Sequence, residues 1–363
     1  MITIPTEAIG SIPRTQKLME AQRLYDEGKL DSKMMEIAYD EAVVEAVKQF
    51  EATGSPVLSD GEQRKTHSFV TYSVEGGDNF APDGIEIPFQ DGHVRRLPRL
   101  TAGPFRFIKN AYDTFPLVKR HTDKPVKQAI ISVSALSLLY PVDGLPDYSR
   151  EEFLDDLVDE QEKEIRGCFA AGACKVQIDF TEGRLAIKLD PSGSLLTAFI
   201  ELNNRVLGRF SDVERQKIGI HTCPGADHDS THSADVDYSE LLPSLFELKA
   251  GNFYIAMAGE ADPDRALRIV ARYLKPHQRA FIGVIDVIDP AIETPEMVCE
   301  RVLAAARHIP LDQLGTTDDC GFSPFCDDVS TTQETAFAKI RARVLGTAMA
   351  AEKLSQEQGR QNG

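Results

Sequence analysis

The sequence predicts an α/β fold, a (β/α)8 barrel of the TIM type, from three observations. Short β-rich runs alternate with longer helical patterns, eight such runs can be placed, and no linker-like stretch divides the 363 residues. Eight parallel strands joined by crossover helices close into a barrel more readily than they stay open, because an open sheet of that size leaves edges to protect. A doubly wound sheet is the alternative architecture.

Taken in order, strands are expected over residues 8–12, 56–59, 126–133, 175–180, 217–222, 252–257, 280–285 and 313–317. Helices are expected over 33–53, 150–171, 194–210, 240–248, 263–274, 294–308 and 332–353. The run from Arg150 to Val158 shows the helical logic: Glu151 and Glu152 sit in the first turn, where the helix dipole favours acid, and apolar residues follow at helical spacing. Residues 72–100 break the repeat. They are rich in Gly and Pro, contain the alternating stretch Ile85-Glu86-Ile87-Pro88-Phe89, and read as a β-hairpin inserted after the second strand that could lid a site. Residues 1–354 are thus expected to form one barrel, and the polar segment 355–363, without apolar period, a disordered tail.

Composition narrows the function. Apolar residues make up 42% of the chain, enough for a substantial core, and 40 basic against 57 acidic side chains give a net charge of −17 that disfavours nucleic acid and anionic lipid. No secretion signal or membrane-length apolar run is visible, so a cytoplasmic protein is expected. Six cysteines are too dilute for a disulfide framework, which leaves each as a buried thiol, a metal ligand or a nucleophile.

Two cysteines stand apart. In Lys217-Ile218-Gly219-Ile220-His221-Thr222-Cys223-Pro224-Gly225, an apolar strand ends on a His and a Cys two residues apart, and strand period puts both on one face. Cys320, in Thr317-Asp318-Asp319-Cys320-Gly321, follows the eighth expected strand. The C-terminal ends of barrel strands form the catalytic face, and His with two Cys leaves a fourth position open, the arrangement of a catalytic zinc site. Either element alone is more simply read as chance, since a Cys near a strand end is commonly a small buried hydrophobe. Two of them on separate strand ends, each ahead of a Gly, favour a ligand set.

Cys168, Cys174 and Cys299 read as core thiols, while Cys326 stays open between a packed thiol and a group near the site. Glu62 and Asp179, at the ends of the second and fourth strands, point toward the same mouth, where they could hold an ammonium group, act as bases, or pair with a neighbouring Arg. His228 and His232 lie in the polar loop after the fifth strand and could assist proton transfer near a metal, or be simply solvated.

In order, these residues resemble the catalytic barrel of cobalamin-independent methionine synthase. Ile9-Gly10-Ser11-Ile12-Pro13, Asp60-Gly61-Glu62, Gln177-Ile178-Asp179, His221-Thr222-Cys223 and Asp319-Cys320-Gly321 look like that family's motifs on five strand ends. The resemblance implies a zinc-dependent S-methyltransferase that passes a methyl group, from 5-methyltetrahydrofolate in the family, to homocysteine to give methionine. It implies zinc on His221, Cys223 and Cys320, and the amino-acid part of the thiol on Ser11, Glu62 and Asp179. The family's Glu ligand on the sixth strand falls at Ala256, with Glu260 as substitute if the strand end bends. Its proton-donating His falls at Ile288, leaving Asp289 or Asp286 for that role beside His228. The chain has no Trp for stacking a pterin. It also resembles a related branch, epoxyalkane:coenzyme M transferase, so a thiol alkyltransferase using an epoxide or other small donor, or a non-catalytic zinc- and thiol-binding homologue, are the alternatives. A related lyase or decarboxylase barrel needs no such metal triad.

Overall fold

Strand alternation places Val176, Ile178, Ile218 and Ile220 in the main apolar core, while Lys127, Gln177 and Asp179 meet on the barrel axis beside Tyr254. The fold comes from a computed structural model, which describes residues 2–361. Two antiparallel pairs come first in the chain: β1 (Phe80–Ala81) with β4 (Arg99–Leu100), and between them β2 (Glu86–Pro88) with β3 (Val94–Arg96). A parallel sheet follows, made of β5 (Lys127–Ile131), β6 (Lys175–Asp179), β7 (Ile218–Thr222), β8 (Asn252–Ile255), β9 (Arg279–Ile285) and β10 (Leu314–Asp318). Its strands pair in sequence order, from β5 at one edge to β10 at the other.

The barrel closes at or beside the first two expected strand positions. Thr6 bridges Thr316 of β10 and Leu58 bridges Val126 beside β5, both in parallel register. The amide of Ile12 donates to the Gly61 carbonyl at 3.1 Å, joining the two segments. The strand expected over 8–12 carries no ladder, its nearest bridge lying outside that span at Thr6, and the one over 56–59 is corrected to the single Leu58 bridge. The cause is local: Gly10 takes φ 153°, and a Cβ there would stand 2.8 Å from a Glu62 carboxylate oxygen, so the first segment spends its residues on close approach to the site rather than on a ladder.

Period two also accounts for the barrel floor. Lys127 is buried, donates to the Ala8 carbonyl at 2.5 Å and to Gln177 Oε1 at 2.6 Å, and sits 4.1 Å above the Tyr254 ring. Glu7 accepts from Tyr254 Oη and Lys175 Nζ, each at 2.6 Å. Burial pulls the Lys127 ammonium down to about 8. These polar groups satisfy one another and form a plug beneath the site.

Helices cover the outer face, among them Ser32–Ala52, Arg150–Ala171, Ser194–Leu207, Pro263–Tyr273 and Pro295–Ala306. Ser149 and Glu152 form a capping box at the start of Arg150–Ala171, and Gly172 ends it at φ 103°. The last helix, Gln333–Gln361, runs through the segment expected to be disordered. Its Gln, Glu and Lys are good helix formers, and Ser355 Oγ accepts from the Ile2 amide at 2.8 Å. Asn362 and Gly363 lie outside the described residues. No helix of the described residues is long and apolar enough to cross a membrane.

Helix Arg150–Ala171 also carries a buried acid. Glu164 Oε1 accepts from Tyr72 Oη and from the Ala111 amide, each at 2.9 Å, yet burial raises its carboxyl to about 7. The folded state thus keeps a proton that the unfolded state releases near pH 4.5, so stability falls as pH rises through that window and levels off above 7. Glu164→Gln is expected to flatten this slope, as read from urea midpoints at pH 5 and pH 8; an unchanged slope contradicts the assignment.

Candidate metal and thiol site

Strand β7 delivers His221 to the C-terminal mouth of the barrel, and Cys223 follows on the same face. Cys320 arrives two residues after the end of β10. One ligand atom from each lies within 4.8 Å of the others, and all three residues are buried. The two sulfurs are 3.0 Å apart, too far for a disulfide, and both thiols are free. The contact with Cys320, reinforced by His221, holds the Cys223 thiol well below its ordinary range and pushes Cys320 well above.

Both ring nitrogens of His221 are buried without a hydrogen-bond partner. An imidazole nitrogen left so costs about 1–3 kcal/mol, and a cation between it and the two sulfurs would remove that penalty. Imidazole with two thiolates is a donor set suited to zinc. The residues present fit that ion.

Ser11, Glu62 and Asp179 line the same cavity of about 310 Å³ as His221, Cys223 and Cys320. Glu62 is held in the left-handed region at φ 56°, its amide donating to Asp60 Oδ1 at 2.9 Å. Lys65, not singled out from the sequence, is buried and pairs with Glu62 at 2.8 Å. Burial and the Glu62 charge raise Asp179 to about 6, while Gln177 Nε2 donates to it at 2.7 Å. Ser11 Oγ accepts the Ser323 amide at 3.3 Å and touches Gly321, where a Cβ would come within 2.0 Å of that oxygen. The Gly after Cys320 is thus required by Ser11.

Three expected residues are not brought to this cluster. Glu260 pairs with Arg184 at 2.6 Å and lines a separate cavity. The reason is Asp319, whose carboxylate accepts the amides of Met257, Ala258 and Gly259 at 2.8–2.9 Å and fixes the chain after β8 before Glu260 is reached. Asp289 is exposed and accepts the Ala291 amide at 2.9 Å, away from the cavity. His228 stands in a left-handed turn at φ 50°, beside Asp227 and Asp327, and does not line the cavity. His232 does, with burial pushing its imidazole down to about 4. Of the two loop histidines that the sequence offered for proton transfer near a metal, His232 reaches the cavity and His228 does not.

With this geometry in place, the comparisons with known proteins are decisive. The family described as cobalamin-independent synthase, catalytic domain, matches residues 4–344. The chain belongs to this cobalamin-independent methionine synthase family. A methionine synthase from Sulfurisphaera tokodaii is 25% identical over 360 residues, 97% of this chain and 94% of that one. A 5-methyltetrahydropteroyltriglutamate–homocysteine methyltransferase from Synechococcus sp. is 24% identical over 323 residues, and the match spans 88% of this chain but only 40% of that relative's length. Among solved structures, a B12-independent methionine synthase from Shewanella sp. in complex with selenomethionine superimposes with a TM-score of 0.77 at 18% identity. It covers 98% of this chain and 100% of that one. The counterpart from Listeria monocytogenes gives 0.70 at 20% identity over 96% of this chain and 99% of the other. Membership of the methionine synthase family places the chain among methyltransferases with the barrel fold.

Proposed function

We propose that this member of the methionine synthase family is a zinc-dependent S-methyltransferase acting on a thiol of the homocysteine type, with 5-methyltetrahydrofolate as donor. The observation that carries the reading is the meeting of His221, Cys223 and Cys320 in the cavity that Glu62, Asp179 and Ser11 also line. Zinc on that donor set would stabilise a substrate thiol as its thiolate near neutral pH while leaving it nucleophilic. The rest is the work of the chain. Glu62 and Asp179 hold the substrate ammonium and so fix the direction of its thiol; Lys65, paired with Glu62 at 2.8 Å, keeps it aimed. The thiolate sulfur forms a bond to the methyl carbon as the carbon–nitrogen bond breaks, and the electron pair leaves with the folate nitrogen, which takes up one proton to balance the one the thiol released.

Incubating zinc-loaded protein with homocysteine and 5-methyltetrahydrofolate is expected to yield methionine. Absence of methionine alongside consumption of a small alkyl donor such as an epoxide would move the donor assignment and keep the thiol chemistry. Glu62→Gln is expected to raise KM for homocysteine by about 10–100-fold, the loss of one charge-assisted contact, while KM for the same thiol without its amino group stays put. An equal rise for both thiols would contradict the ammonium-binding role.

A further inference from the structure

We propose that Arg95 is a positioning residue for one wall of the cavity, pinning the β2–β3 hairpin that forms it to both loops that carry the metal-binding cysteines. The assignment rests on the functional reading above. Ile87, Phe89, Val94 and Arg95 of the hairpin all line the cavity. Its two strands have three residues each, and a two-stranded ribbon of that length is not stable by itself in water. Its place must be fixed from outside.

The fixing contacts converge on Arg95. Its Nε and Nη2 donate to the two oxygens of Asp227 at 2.5 and 2.9 Å, while Nη1 and Nη2 donate to Asp327 at 3.0 and 2.9 Å. The same guanidinium lies 4.1 Å above the Phe325 ring. Asp227 follows Cys223 in the loop after β7; Asp327 and Phe325 follow Cys320 in the loop after β10. One planar side chain therefore ties the hairpin to both.

The Asp227 carboxylate is completely buried and also meets His93 Nε2 at 2.9 Å, while His228 stands 3.6 Å away. The hairpin tip adds the Gln90 amide donating to the Thr231 carbonyl and the Asp91 amide donating to Ser230 Oγ. A lysine at position 95 would bring charge without the fork that serves two carboxylates and a ring together. The hairpin wall is consequently set only when both cysteine loops are in place.

The test compares wild-type protein with Arg95→Met, Arg95→Lys and Asp227→Asn, measuring zinc content, KM for homocysteine and for 5-methyltetrahydrofolate, and amide hydrogen exchange over residues 86–97. Arg95→Met is expected to retain zinc, raise KM for at least one of the two substrates about tenfold, and speed exchange in the hairpin alone. Arg95→Lys should fail to restore protection, and Asp227→Asn, which also weakens the His93 contact, should speed exchange over the same residues. Unchanged hairpin exchange, or loss of zinc and thiol binding together with it, overturns the proposal. The exchange and zinc measurements need no substrate, so they decide the role of Arg95 even if the folate reading fails by giving no methionine with wild-type protein.

Discussion

Cys223→Ala is expected to abolish metal retention and thiol methylation together. Removing a group that merely orients a ligand costs about 10–100-fold in metal affinity, and removing one of three protein ligands costs more. Cys223 is also the 3.0 Å neighbour of Cys320, so its loss leaves Cys320 without that contact and His221 with both nitrogens still orphaned. The variant should fold, because alanine removes only the sulfur from a buried position, and circular dichroism should match the wild type. Metal content by mass spectrometry together with methionine formation checks the claim; retention of wild-type zinc would show that the ion, if any, sits elsewhere.

Arg343→Met is expected to lower stability by about 3–5 kcal/mol, the cost of breaking a buried ion pair from one side. Arg343, on the last helix, pairs with Asp318 at the end of β10, and both are wholly buried. Burial raises the Asp318 carboxyl, and the Arg343 charge opposes that rise. Without the cation the strand end that positions Cys320 carries an uncompensated charge. Urea midpoints measure the loss, and combining Arg343→Met with Asp318→Leu should recover part of it, since the second change removes the stranded carboxylate. A loss below about 1 kcal/mol in the single variant would contradict the account.

The barrel was legible because its six laddered strands are short apolar runs bounded by helices with explicit caps, and such signals are local. The meeting of His221, Cys223 and Cys320 was legible for the same reason: His221 and Cys223 share a face by period two, and Cys320 follows another strand. What sequence could not supply was the path of loops. Glu260 lies only five residues past β8, but where it goes depends on three amides captured by Asp319, more than fifty residues later in the chain. Arg95 and Asp227 are 132 residues apart, with nothing in either neighbourhood to pair them. The first two strands gave way to bridges at Thr6 and Leu58 because Gly10 and Glu62 answer to the cavity, a demand that propensity does not register. The tail turned helical although polar all round, because a helix already packed at Ala350 and Ala351 can be extended by good helix formers without a new apolar face.

The most direct test of the central claim is zinc X-ray absorption on the purified protein with and without homocysteine. The account predicts bound zinc with one nitrogen and two sulfur ligands from the protein, and a third sulfur entering the shell when the thiol is added. Protein that binds no zinc after anaerobic purification with zinc supplied, or a zinc shell unmoved by homocysteine, would contradict it.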